Sequence, residues 1–285
     1  MFKKLLAVAV KILLIIFSIA LLILPYVIWE NNSVVLSKYS IYSRRLPPAF
    51  NNYNLVLISD HHNSNNVEKI IKKVEQVAPK VIIVSGDAIN MHDTDYTNSF
   101  TLFEQLLKIA PTYFTSGNHE TWSPDETDYL NSLKNRGVNI LNNKVESIQY
   151  KRSEINIIGF KDIVYSDGRM RHDMLNGELS SLYNSIDNKS LFNLLVFHKA
   201  NYFDTIAKYP FDLVLSGHLH GGQINLPVIK SKILKSRFQT DLYSKGYYRI
   251  NDCQMVVSAG LEKSIRYPRV LNPPEVVEVV LKNLN

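Results

Sequence analysis

Short apolar runs recur along this chain, and each is closed by a cluster of polar residues. Residues 55–58 precede Asp60-His61-His62, 81–84 precede Gly86-Asp87, 194–197 precede His198, and 213–215 precede Gly217-His218-Leu219-His220. Tyr113-Phe114-Thr115 leads in the same way to Gly117-Asn118-His119-Glu120. Runs this short, rich in Val, Ile and Leu, predict buried strands. Between the first two lies a stretch of another period: Val67, Ile70, Ile71, Val74 and Val77 recur at helical spacing among lysines and glutamates, and Pro79 follows. Strand, helix, strand is a βαβ unit, with a right-handed parallel crossover expected. Further helices are predicted over 100–109, 126–134 and near 176–183. Extended segments are predicted at 138–141, 254–257 and 276–281, and 150–160 alternates like a hairpin. Residues 31–52 are polar, contain Pro47-Pro48, and read as a tether. No internal repeat is present. Pattern alone predicts one α/β domain over 53–285.

The N-terminus obeys neither period. Lys3, Lys4 and Lys11 precede residues 12–29, eighteen positions without a charge. As a helix that stretch rises about 27 Å, close to the thickness of a bilayer core. The apolar run continues past the small residues Ser18 and Ala20, longer than the core of a cleaved signal peptide. An uncleaved transmembrane helix over 1–30 is therefore expected. Tyr26 and Trp29 stand where an interfacial aromatic belt would be. Lysines on the N-terminal side alone, with Glu30 beyond the run, predict a single-pass protein of the cell membrane with its domain outside the cytoplasm.

Composition adds little until charge is considered. The net charge is +6, and the three N-terminal lysines carry half of it. Lys230, Lys232, Lys235, Arg237, Lys245 and Arg249 fall close together, followed by Lys263, Arg266 and Arg269. In a tethered chain the 230–249 segment suits anionic headgroups or a phosphorylated substrate. Nothing resembles a nucleic-acid-binding motif, so no nucleic-acid partner is expected. The single cysteine, Cys253, lies in a strand-like run and reads as buried and structural. No sequence feature bears on oligomeric state.

The polar clusters supply Asp, Asn and His without a thiol, a donor set for divalent first-row metals. They fall just past strand ends, where open α/β sheets carry their sites. Asp60 and His62 are two residues apart and can point the same way from an extended segment, as can His218 and His220.

In order, Asp-x-His, Gly-Asp, Gly-Asn-His-Glu, His and Gly-His-x-His resemble the calcineurin-like metallophosphoesterase family. Gly-His-Leu-His-Gly-Gly-Gln at 217–223, Ser-Ala-Gly-Leu at 258–261 and Asn-Pro-Pro-Glu at 272–275 resemble its bacterial membrane-associated branch. The resemblance implies a four-layer αββα sandwich of two mixed sheets flanked by helices. It implies two divalent cations (Mn, Fe or Zn), one held by Asp60, His62, Asp87 and His220, the other by Asp87, Asn118, His198 and His218. These would sit about 3.5–4 Å apart, bridged by a hydroxide that attacks phosphorus in line. His119 would be catalytic, protonating the leaving oxygen. Glu120 would orient its neighbours. His61, at a usually apolar position, is expected to pack or lie on the surface. His92 and His172 match no motif and read as structural. Trp122 reads equally as an aromatic wall by the pocket and as core.

Two positions depart from the family pattern. Asn90 stands where a second acid supports the Gly-Asp motif, and Glu262 stands where the branch has Gly. The first is expected to alter metal affinity, the second to reshape the pocket rim. The implied activity is metal-dependent hydrolysis of a phosphodiester or pyrophosphate on an envelope or lipid-linked substrate. Two alternatives stay open: a metal-binding envelope scaffold without catalysis, and a UDP-2,3-diacylglucosamine-type pyrophosphatase facing the cytoplasm.

Overall fold

The computed structural model describes residues 2–163, 172–225, 242–262 and 268–285, apart from the side chains of 3, 4, 7, 16, 19, 20, 22 and 172. The chain opens with α1 (Phe2–Asn31) and continues through β1 (Val35–Ser43), β2 (Tyr53–Ile58), α2 (Val67–Val77), β3 (Val81–Ser85), α3 (Thr97–Ile109), β4 (Thr112–Thr115) and α4 (Asn118–Trp122). Next come α5 (Glu126–Asn135), β5 (Asn139–Ile140), β6 (Lys144–Tyr150) and β7 (Ser153–Phe160). The remainder is α6 (His172–Asn184), β8 (Asn193–Lys199), α7 (Phe203–Ile206), β9 (Leu213–Gly217), β10 (Gly246–Ile250), β11 (Cys253–Val257) and β12 (Glu275–Asn283).

The strands form two mixed sheets, ordered β1-β12-β2-β3-β4-β5 and β10-β11-β9-β8-β7-β6. In the first, only the β12–β2 pairing is antiparallel. In the second, β7, β8, β9 and β11 run parallel, while the edge strands β6 and β10 run antiparallel to their neighbours. The apolar runs are continuous because both faces of the central strands are covered. Leu55 and Leu57 meet Val196, Leu215 and Val256 between the sheets. Their alternates, Val56 and Ile58, pack outward on Ile70 and Val74 of α2 and on Leu102, Phe103 and Leu106 of α3. On the far side Leu195, Phe197 and Val214 pack on Leu175 and Leu179 of α6. Two mixed sheets with helices on their outer faces is the architecture.

Two expectations need correction. Residues 31–52 are not a tether. β1 pairs with β12 along its whole length, from Val35 with Glu275 to Ser43 with Asn283. Leu46 and Phe50 are buried between the sheets. β1 is an edge strand with Ile41 as its one buried residue, and Ser37, Lys38, Ser40 and Ser43 give it a composition that mimics a linker. The second concerns the N-terminus. α1 is helical over 30 residues with Pro25 inside it. Among the described residues no helix is long and apolar enough to cross a membrane, and Ile16, Ile19, Ala20 and Leu22 contribute no described side chain. The expected transmembrane segment is met only as to its being a helix.

Candidate metal centre

All five polar clusters arrive at one end of the paired sheets, four of them past the C-terminal ends of β2, β3, β4 and β9 and the fifth, His198, as the penultimate residue of β8. The backbone turns sharply there. Asp60, His62, Asp87, His218 and His220 all have positive φ, between 47° and 79°. This region is uncommon for non-glycine residues and costs about 1–3 kcal/mol each, so strain is concentrated at this rim. Close approach between the sheets needs glycine. A Cβ on Gly217 would lie 1.9 Å from Ser59 Oγ and 2.4 Å from Asp60 Oδ2. One on Gly117 would lie 2.3 Å from Asp87 Oδ1.

The side chains converge on two carboxylates. His198 Nε2 is 2.9 Å from Asp87 Oδ2 and 3.8 Å from Asp60 Oδ1. His62 Nε2 is 3.8 Å from Asp87 Oδ2, and His220 Nε2 is 3.4 Å from Asp60 Oδ1. Three overlapping groups result: Asp60 with His62 and His220, His62 with Asp87 and His119, and Asp87 with His198 and His218. Within each group the donor atoms lie within 4.8 Å of one another. Asn118 is buried beside them at the start of α4, with no hydrogen-bond partner for its Oδ1. All the aspartate and histidine positions expected from the sequence as metal ligands, and His119 as well, thus lie in one small volume.

That volume is rich in electron pairs. Asp60 and Asp87 are 0% and 1% exposed. Burial alone would raise both carboxyls. The positive charge and hydrogen bond of His198 hold Asp87 well below the usual range, and His220 and His198 lower Asp60. Burial and neighbouring positive charge push His62 down to about 4 and His218 to about 3, so both rings are neutral with a lone pair to offer. Burial also opposes charge on His198, but Asp87 and Asp60 overcome it and push His198 up to about 10. Positive charge is thus drawn to the point between the carboxylates. His62 Nε2 is buried without a hydrogen-bond partner. Orphaned acceptors around paired carboxylates, in an N/O set without thiol, fit hard-to-borderline divalent cations.

A surrounding layer sets the orientation of each donor. His198 Nδ1 lies 2.7 Å from the Ser85 carbonyl, to which it donates, leaving Nε2 for a cation. His62 Nδ1 meets Asn90 Oδ1 at 3.0 Å, and Asn90 Nδ2 donates back to the His62 carbonyl at 3.1 Å. The charge absent from position 90 stands one residue farther out: Asp93 accepts from the Asn90 backbone at 2.9 Å and from its amide at 3.3 Å. Glu120 is buried and accepts from the backbone N–H of Asp87, Ala88, Ile89 and Gly117, tying β3 to β4. Glu262 stands against a candidate ligand: its Oε2 is 3.0 Å from His220 Nδ1. Such carboxylate–histidine contacts fix tautomer and ring orientation.

Other expectations meet mixed outcomes. His61 is fully buried, and burial pushes its pKa down to about 4, so it packs as a neutral ring. Trp122 is 41% exposed with its ring 5.8 Å from His119, a wall by the site rather than core. Of the basic stretch, Lys230, Lys232, Lys235, Arg237, Lys263 and Arg266 lie outside the described residues. Lys245 pairs with the buried Glu275 at 3.0 Å, and Arg249 pairs with Asp252 at 3.4 Å. Arg269 is 1% exposed, with its guanidinium on the carbonyls of Ala259 and Glu262. Sequence reasoning missed Asp93, although its spacing from Asn90 was visible. It also missed Arg269, whose burial has no local signal.

The chain matches the family described as calcineurin-like phosphoesterase over residues 53–222, which span every candidate ligand. It is 25% identical over 265 residues to the uncharacterized metallophosphoesterase YkuE of Bacillus subtilis, covering 90% of this chain and 88% of YkuE. An uncharacterized metallophosphoesterase of Aquifex aeolicus is 29% identical over 279 residues, covering 93% and 98%. The phosphodiesterase YaeI of Escherichia coli is 25% identical over 189 residues, covering 62% of this chain and 64% of YaeI. With the motif order, the clustered donors and these matches together, the chain belongs to the calcineurin-like phosphoesterase family, as a hydrolase of phosphoric ester bonds that uses a pair of divalent cations.

Proposed function

We propose that Asp60, His62, Asp87 and His220 hold one cation and that Asp87, Asn118, His198 and His218 hold the other, for hydrolysis of a phosphodiester or pyrophosphate. The observation that carries this reading is the overlap of the three donor groups, in which Asp87 is shared. Bound there, the cations supply Lewis acidity toward phosphoryl oxygens and make water acidic enough to act near neutral pH. Manganese, iron or zinc suits the set.

The protein's own part is orientation and proton handling. The His119 Nδ1 accepts from the Met91 backbone at 3.2 Å, so Nε2 carries the proton in the neutral ring. That ring stands edge-on to His62 at 4.5 Å. His119 is the general acid of this reading, delivering its proton to the leaving oxygen. Trp122 flanks it and limits solvent on that side.

The membrane belongs to the same proposal. Along α1, Leu5, Leu13, Ile15, Phe17, Leu21, Leu24 and Trp29 are each at least 58% exposed. A helix apolar on all sides does not rest in water. The uncharged stretch 12–29 has the length to anchor the chain in the cell membrane as a single pass, with the catalytic body, which the first sheet extends back to β1, outside the cytoplasm. Envelope and lipid-linked phosphoesters are then the substrates within reach.

The test is hydrolysis of bis-p-nitrophenyl phosphate by the full chain in detergent, first metal-free and then with manganese, zinc or iron. Metal-dependent turnover that Asp87→Asn abolishes is the expected result. A folded, metal-loaded chain inert toward phosphoesters would overturn the reading in favour of a binding module.

A further inference from the structure

The end of α1 is fastened to the metal-site end of the sheets, not to the opposite end. β1 begins at Val35 beside Glu275, whose N–H donates to Gly260 O at 3.1 Å. A Cβ on Gly260 would lie 2.6 Å from Asp60 Cβ. The last turn of α1 is clamped to the loop that leads into β12. Leu271 N donates to Glu30 Oε2 at 2.9 Å, Arg269 N donates to Asn31 Oδ1 at 2.8 Å, and Asn31 Nδ2 donates to Arg269 O at 2.8 Å. The same loop supports a candidate ligand: Asn272 Nδ2 donates to His220 O at 2.6 Å. Two residue contacts thus separate the anchor helix from the metal centre.

The surface around that junction is suited to a headgroup layer. A cleft of about 360 Å³ beside Trp29 is lined by Lys69, Lys72 and Lys73. Lys69 donates to Asn32 O at 2.5 Å, and Lys72 pairs with Glu68 at 2.9 Å. Lysines beside an interfacial tryptophan attract anionic lipid. Exposed apolar side chains lie at the same end: Trp122 beside His119 and Leu271 beside Glu30.

We infer that the metal centre opens onto the bilayer surface, and that its substrates are phosphoesters in the headgroups of amphiphiles embedded in the leaflet from which α1 emerges. This rests on the proposed dimetal reading and narrows it from envelope phosphates in general to those presented at the membrane plane. Hydrolysis breaks one P–O bond and forms another from water, with a proton passing to the leaving oxygen. The cut is made at headgroup depth, so the acyl chains stay in the bilayer.

The experiment uses the full chain in vesicles of phosphatidylcholine with phosphatidylglycerol. Two probes share one leaving group: hexadecyl p-nitrophenyl phosphate in the bilayer and methyl p-nitrophenyl phosphate in solution. The bilayer probe is expected to be turned over at least about tenfold better, from its higher effective concentration at the site. A ten-residue Gly/Ser insertion between Trp29 and Glu30 keeps the clamp but frees the body from the membrane plane. It is expected to erase that preference while leaving the methyl ester unchanged. Manganese-loaded chain should also speed ³¹P relaxation of the phospholipid headgroups, and the insertion should weaken this. Equal turnover of both esters, or a preference and relaxation that the insertion does not change, would overturn the inference and leave the dimetal reading standing. No turnover of either ester by metal-loaded chain would instead sink the dimetal reading.

Discussion

The two ends of the paired sheets ask different things of the same backbone. At the C-terminal ends of β2, β3 and β9 the chain bends through positive φ at five candidate ligands and buries carboxylates among histidines. At the opposite end lies a cavity of about 770 Å³, lined by Tyr42, Arg45, Lys208, Asp212 and Tyr247 among others. That end is roomy and basic, and Arg45 there pairs with Asp212 at 3.2 Å and donates to the carbonyls of Lys189 and Leu191. Volume therefore does not locate the chemistry. Strained backbone and orphaned buried donors do, because both cost stability that folding alone would not retain.

If the contrast is sound, substitutions at the two ends separate activity from stability. The largest effect is expected at the shared carboxylate. Asp87→Asn should lower turnover by roughly 10³-fold or more, with metal lost from the protein, because one change touches both cation positions. Elemental analysis beside a rate assay checks it. His119→Ala is expected to cost about 10²–10⁴-fold in kcat while the metal stays bound, as for a general acid. Retained activity would remove His119 from the chemistry. Glu262→Gln and Asp93→Asn should each weaken metal binding by about 10–100-fold, read by competition with a chromophoric chelator. Asp93→Asn acts only through Asn90 and should be the milder. The smallest effect belongs to the far end. Arg45→Ala should leave kcat and KM unchanged and reduce stability by about 1 kcal/mol in urea unfolding, since the pair is partly exposed. A drop in kcat there would break the contrast.

What was legible in the sequence follows from where the signal resides. The central strands and α2 declared themselves because both are set by local periodicity: Val67, Ile70, Ile71, Val74 and Val77 trace the face that α2 turns toward the first sheet, where Ile70 and Val74 are buried. The candidate ligands were legible because each must sit directly after a strand. Two edge strands, β1 and β10, were not: β1 has a single buried residue and β10 none, so neither carries the continuous apolar run that marks the central strands. The supporting layer was harder still. Arg269 reads as one more basic residue in a basic stretch, and only the fold shows its guanidinium turned inward onto backbone carbonyls. Asn90 read as a lost charge, whereas the three-dimensional arrangement restores that charge through Asp93. The most consequential miss was the junction at Glu30 and Asn31: a boundary drawn at residue 30 cuts through contacts that hold the loop beside His220.

The most direct test of the central claim is anomalous X-ray scattering from crystals of the full chain grown with manganese. Two manganese peaks are expected, one among Asp60, His62, Asp87 and His220, the other among Asp87, Asn118, His198 and His218. A single peak, or manganese bound anywhere other than around Asp87, would contradict it.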